Sequence, residues 1–158
     1  AKHMDIGFEL ISIVKLLVSF LLAALIGYDR EIHGSDAGIR TYAAVCIGSA
    51  LFTAIACHLT GDPAAPSRVI ANIVTGVGFL GAGIIYRNNS AGTSHGLTTA
   101  ATVWCTAAVG VAIGLDMYII ALAGVLTLYF LLSLHHQKWY IQWKKKMVRR
   151  AGNHKEAE

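Results

Sequence analysis

Ahead of its C-terminal tail, the sequence concentrates charge in one place: Asp29, Arg30, Glu31, His33, Asp36 and Arg40. Carboxylates such as Asp29 and Glu31 are hard oxygen donors of the kind Mg2+ takes while keeping part of its water shell. Arg30 and Arg40 can instead pair with those carboxylates and lock the ends of two helices, and this is the expected arrangement. A cation or regulatory site and a contact for a partner remain the alternatives. Two carboxylates could also act as acid and base, but catalysis needs a substrate held at suitable distance. Neither His33 nor His95 belongs to a nucleophile motif, so both are read as hydrogen-bonding residues and no enzymatic activity is expected.

A second polar set is threaded through apolar sequence. At helical spacing His95, Thr99, Thr102 and Thr106 share a stripe with Thr98 beside it; Asn72, Thr75, Phe79 and Gly83 form another, and Ser49, Thr53 and Cys57 recur every four residues. In lipid the backbone satisfies itself within helices, so isolated polar side chains become informative. The three faces are expected to converge on a common interior, either through interhelical bonding and close packing or as the lining of an ion or ligand path. The path residues are then Asn72, Thr75, Thr98, Thr99, Thr102 and Thr106. Gly76, Gly78, Gly81 and Gly83, with Gly110 and Gly114, read as close helix packing. The spacing of Gly76, Gly78 and Gly81 matches a dinucleotide fingerprint only superficially, because no strand, crossover or ribose carboxylate accompanies it. Cys46, Cys57 and Cys105 lie in apolar stretches without metal spacing and read as small packing residues.

The elements that must position these residues are long apolar segments. The 158 residues are 55% hydrophobic and 14% charged, where a soluble domain has about a quarter of its residues charged. Mean hydropathy is +0.56. An all-α, polytopic transmembrane helix bundle of about five spans is expected. They run from Ile6 or Leu10 to Tyr28, Thr41 to Cys57 or Leu59, Ser67 as a cap to Tyr86, Leu97 to Leu115, and Met117 to Leu134. Turn residues at Gly61 to Pro66 and a polar joint at Arg87 to Ser94 separate the middle spans. The short joint at Gly114 to Asp116 makes the last two antiparallel neighbours. Lys15 interrupts the first span and is expected to snorkel to water; a buried partner or an ion-repelling role is the sharper alternative.

Residues 1–4 read as an expression remnant and start, 5–134 as the transmembrane domain, and 135–158 as a basic cytoplasmic tail. Lys138, Lys144, Lys145, Lys146, Arg149, Arg150 and Lys155 in that tail favour the cytoplasm. Five spans then put the N-terminus outside and the joints at Asp29 to Arg40 and Arg87 to Ser94 inside. The tail suits anionic membrane lipids better than nucleic acid, and Trp139, Tyr140 and Trp143 suit an interfacial helix. No cleavable secretory segment stands apart from the first span, so multi-pass insertion in an inner membrane is expected rather than export.

Four ordered pieces resemble the MgtC/SapB family of bacterial inner-membrane proteins: Gly27-Tyr28-Asp29-Arg30-Glu31, Ala37-Gly38-Ile39-Arg40-Thr41, Gly76 through Gly83, and Gly96 through Trp104. The resemblance implies a factor linked to magnesium limitation, acid resistance or virulence-type stress adaptation. It further implies regulation of membrane proteins such as ATP synthase or a sensor kinase, with Mg2+ or other cation transport, or a structural membrane oligomer, as alternatives. Asp29, Arg30, Glu31, Arg40 and Thr41 carry over as the signature. Asp29 stands where the family pattern has Glu, shortening the carboxylate's reach by one methylene. Longer relatives carry an ACT-like domain, whereas only a short basic tail follows the spans here. A homo-oligomer, such as a dimer, is the expected assembly.

Overall fold

A computed structural model describes residues 6–59, 63–88 and 93–134. Its order is α1 (Ile6–Ile32), α2 (Ile39–Leu59), α3 (Ala65–Ile84), β1 (Tyr86–Asn88), β2 (Thr93–His95), α4 (Leu97–Gly114) and α5 (Tyr118–Ser133). Short connections turn each helix back on the last, giving an up-and-down bundle with two ends. One end, the charged end, holds the α1–α2 joint and the start of α4. The other holds the α4–α5 joint. Residues 1–5, 60–62, 89–92 and 135–158, which include the expected basic tail and its aromatic residues, lie outside the described residues.

The helices start and stop where local chemistry dictates. Pro66 sits in the first turn of α3, where its missing N–H is no loss; the cap position is Ala64 without a side-chain bond, so Ser67 is not the cap. α1 runs on to Ile32, past the expected end at Tyr28, which carries Asp29, Arg30 and Glu31 as helical residues rather than joint residues. The polar joint after α3 folds as an antiparallel hairpin pairing Tyr86 with His95, Arg87 with Ser94 and Asn88 with Thr93.

α4 is the most enclosed helix and α3 the least. α2 packs on α4 so closely that a β-carbon at Gly114 would lie 2.6 Å from the Thr53 β-carbon and 2.8 Å from the Ala50 carbonyl oxygen. Gly110 stands likewise against the Cys46 carbonyl and Ser49. Gly81 meets the Ala100 methyl at 3.6 Å, as expected of a packing glycine. Gly76, Gly78 and Gly83 correct that expectation, since a β-carbon at any of them would meet nothing within 4 Å. The reason is that α3 leans on its neighbours through another face, with Ala65, Val77 and Gly81 buried and Ile73 and Ile84 packed against the core.

α5 turns Ala121, Val125, Leu128 and Leu132 inward and leaves Ile119 87% exposed and Phe130 64% exposed. Such an apolar exterior, on a chain with four helices long and apolar enough to cross a membrane and a fifth apolar helix of 16 residues, is the surface of a protein whose solvent is lipid.

Candidate functional site

On the last turn of α1, residues two apart point to opposite sides. Asp29 therefore turns to His33, with 3.5 Å between its Oδ1 and the ring Nδ1, while His33 Nδ1 lies 2.6 Å from the Asp29 carbonyl oxygen. Glu31 turns the other way, and its Oε2 accepts the Ile39 N–H at 3.1 Å. That carboxylate caps α2, where the first backbone donors lack partners and negative charge is favoured. A β-carbon at Gly38 would come within 2.5 Å of the same oxygen, so the glycine makes room for the cap. The structure does not bring Asp29 and Glu31 together as ligands, and no group of three or more His, Cys, Asp or Glu among the described residues could hold a metal ion.

Arg30 points inward, and the expected pairing of Arg30 and Arg40 with these carboxylates is absent among the described residues. Ion pairs among those residues include Lys15–Asp116 and, when His33 is protonated, His33–Asp29. The register of α1 explains this by aiming Arg30 between the flanking carboxylates and into hydroxyls. Its Nη2 donates to Ser35 Oγ at 3.1 Å and to Thr99 Oγ1 at 3.4 Å, and the two hydroxyls lie 3.1 Å apart. Its Nε is buried without a partner among the described residues. Deeper in, the fully buried Tyr42 reaches Thr102 Oγ1 at 2.6 Å. Thr102 Oγ1 also lies 2.9 Å from the Thr98 carbonyl and 3.0 Å from that of Thr99. A hydroxyl has one proton, so with Thr102 donating to the backbone, Tyr42 is the donor to Thr102.

Sequence reasoning missed Ser35 and Tyr42. The available signals were a serine one turn beyond Arg30 and a phenol at the head of an apolar span. Arg40 and Thr41 lie outside this network. With Glu31, Ser35 and Asp36 they line an open groove of about 590 Å3 at the charged end.

The polar stripes divide. Thr99, Thr102 and Thr106 are buried on α4, where Ser49 and Thr53 of α2 meet Gly110 and Gly114. Thr106 donates to the Thr102 carbonyl at 2.8 Å. Thr98 is exposed, and His95 stacks on Tyr86 in the hairpin. Asn72 and Thr75 do not join them: both are exposed on α3, and Thr75 donates back to the Ala71 carbonyl at 3.0 Å. Of the three cysteines, Cys46 is buried, Cys105 half-buried and Cys57 exposed, all with free thiols.

At the far end of α4, Lys15 departs from snorkelling. Its side chain is 7% exposed, and Nζ donates to the Gly114 carbonyl at 2.9 Å and pairs with Asp116 Oδ2 at 2.9 Å. The lysine neutralises the carbonyl-rich C-terminus of α4. Asp116 has a φ of 63°, its N–H bonds the Ile113 carbonyl, and the Met117 N–H bonds the Ala112 carbonyl. This is the Schellman helix ending, whose left-handed position usually belongs to glycine.

The MgtC family profile matches residues 16–138. The chain is 46% identical over 114 residues to Protein MgtC of Salmonella typhimurium, covering 72% of this chain and 48% of the relative. It is 44% identical over 113 residues to Protein MgtC of Brucella abortus, with 72% and 45% covered. Identity is 38% over 133 residues to an Escherichia coli protein named "Putative magnesium transporter YhiD", with 79% and 60% covered. The chain thus spans about half the length of the MgtC relatives it matches. No solved structure is a significant match. With a profile match over most of its length, and with the apolar multi-helix architecture of a protein of the bacterial inner membrane, the chain belongs to the MgtC family.

Proposed function

We propose that this chain is a non-catalytic, non-conducting regulator. In this reading its charged end faces the cytoplasm and engages another membrane protein, such as ATP synthase or a sensor kinase, during adaptation to magnesium limitation and related stress. One observation carries the proposal: the polar interior along α4 has Lys15 at one end and Arg30 at the other, and no carboxylate of a described helix lies between them. A divalent cation passing through one protomer would meet the Arg30 guanidinium at one end and the Lys15–Asp116 pair at the other, and would lose water along α4 without gaining anionic oxygen. On α4 the Thr102 and Thr106 hydroxyls are engaged by backbone carbonyls and by Tyr42, while the buried Ser19 and Thr53 hydroxyls have no partner among the described residues.

This orientation is supported by α5, which ends at the charged end and is followed in sequence by Lys138, Lys144, Lys145 and Lys146. Such residues favour the cytoplasmic side. There, the groove lined by Glu31, Asp36, Arg40 and Thr41 offers both signs of charge to a partner. The link to magnesium rests on family membership and on the name of the Escherichia coli relative, which points to transport as the second reading.

The deciding experiment is Mg2+ entry into sealed vesicles containing the purified, correctly inserted chain and an enclosed Mg2+-sensitive dye. Entry no faster than into empty vesicles is expected, together with loss of low-magnesium growth in cells carrying Arg40→Glu. Saturable, protein-dependent entry that changes in Lys15 or Arg30 variants would overturn the proposal.

A further inference from the structure

The outward face of α3 carries three features that nothing within the chain explains. Asn72 is exposed, with no hydrogen-bond partner among the described residues. It lies seven residues beyond Ala65, about 10 Å along the helix, inside a hydrocarbon layer roughly 30 Å thick. Gly76, Gly78 and Gly83 meet no neighbour, although glycine weakens a helix relative to alanine. Between α2 and α3 runs an apolar groove of about 580 Å3, lined in part by Ala44, Gly48, Phe52, Asn72, Gly76 and Leu80. Beside it stands Phe79, 80% exposed and two turns from Asn72 on the same face.

Lipid tails can fill a groove but offer an amide neither donor nor acceptor, and an unsatisfied amide in hydrocarbon is costly. Water at that depth is not available as a substitute. A carboxamide holds two donors and an acceptor, so it is complementary to its own copy. A two-fold axis beside α3 would set the two amides against each other and bring the projecting Phe79 of each copy toward the groove of the other, as a self-complementary interface requires. Small residues at Gly48 and Gly76 let the backbones approach closely enough for this.

We infer that the α2–α3 face is the contact surface for a second copy of this chain, with the Asn72 amides of the two copies hydrogen-bonded to each other. The inference concerns the outward face alone and stands independently of the regulatory reading.

The test is energy transfer between donor- and acceptor-labelled copies in liposomes as the protein-to-lipid ratio falls. The wild-type chain should associate in pairs. Asn72→Leu should raise the dissociation constant by about three- to thirtyfold, the range of interhelical polar contacts in membranes, while Asn72→Gln retains association. Gly76→Leu, which fills the groove, should also weaken pairing. Because neither position has a partner within the chain, Asn72→Leu should match the wild type in thermal unfolding under monomeric micelle conditions, and Gly76→Leu, which removes a helical glycine, should be no less stable than the wild type. That comparison separates lost pairing from lost folding. A monomer at every ratio, as when lipid occupies the groove, would overturn the inference. So would pairs insensitive to both Asn72→Leu and Gly76→Leu, which would place the contact on another face.

Discussion

Asp116 sits in a left-handed conformation that glycine adopts freely, at a cost of roughly 1 kcal/mol for a residue with a β-carbon. Its retention is explained by Lys15, whose ammonium is buried and reaches the Asp116 carboxylate at 2.9 Å. A hydrogen bond to a charged group contributes about 1.5–3 kcal/mol. Replacing Asp116 by Gly forfeits that bond and recovers the backbone strain, so Asp116→Gly should destabilise the chain by about 0.5–2 kcal/mol. Lys15→Met removes the buried charge and leaves a carboxylate that is 62% exposed and readily hydrated. The double variant should therefore be more stable than Asp116→Gly alone, with a coupling of about 1.5–3 kcal/mol between the two positions. Reversible denaturation of the purified protein in mixed micelles measures all four corners of this cycle. If Asp116→Gly is more stable than the wild type and the coupling vanishes, Lys15 reaches water unaided and the ion-pair account is wrong.

Further outcomes test the packing, the capping and the buried hydrogen bonding. Gly110→Ala drives a methyl into the Cys46 carbonyl and should cost about 1–3 kcal/mol, whereas Gly83→Ala meets nothing in the protomer and should stabilise the monomer by about 0.5–1 kcal/mol in the same denaturation assay. Glu31→Ala removes the cap of α2 and should cost about 1 kcal/mol. Gly38→Ala displaces the same carboxylate, so the two losses should not add, and additivity in melting experiments would refute the shared cause. Tyr42→Phe deletes the donor to Thr102 and should cost about 1 kcal/mol. An unchanged melting temperature would show that Thr102 is satisfied by the backbone alone.

The apolar helices were legible because membrane spans advertise themselves by length and composition. The threonine stripe was legible because helical spacing places Thr99, Thr102 and Thr106 on one face of α4, where they are buried. What failed depended on register and on where helices stop. An α1 ending at Tyr28 puts Asp29, Arg30 and Glu31 in a charged joint beyond the helix, where they can pair or bind a cation. Four more helical residues send the three side chains in three directions: to His33, to the hydroxyls of Ser35 and Thr99, and to the Ile39 N–H. Asn72 failed for a related reason, since spacing shows which residues share a face but not which way the face turns. The glycines of α3 and α4 look alike in sequence, yet Gly110 and Gly114 are wedged against α2 while Gly76 and Gly83 stand open.

That division bears on mechanism. If α3 had turned Asn72 toward the threonines, a protomer would hold an amide-and-hydroxyl lane that could carry an ion between helices. Instead Thr102 and Thr106 bond back to their own backbone, Arg30 stands at one end of the lane and the Lys15–Asp116 pair at the other, and the amide faces outward. A conducting route through one copy would have to break the Tyr42–Thr102 contact and move both Lys15 and Arg30 aside. A route between two copies would pass the Asn72 face and would not involve the threonine stripe at all. Substitution at Thr102 should consequently alter folding stability without creating or abolishing Mg2+ entry, and a Thr102 variant that changed entry at unchanged stability would contradict the closed-interior account.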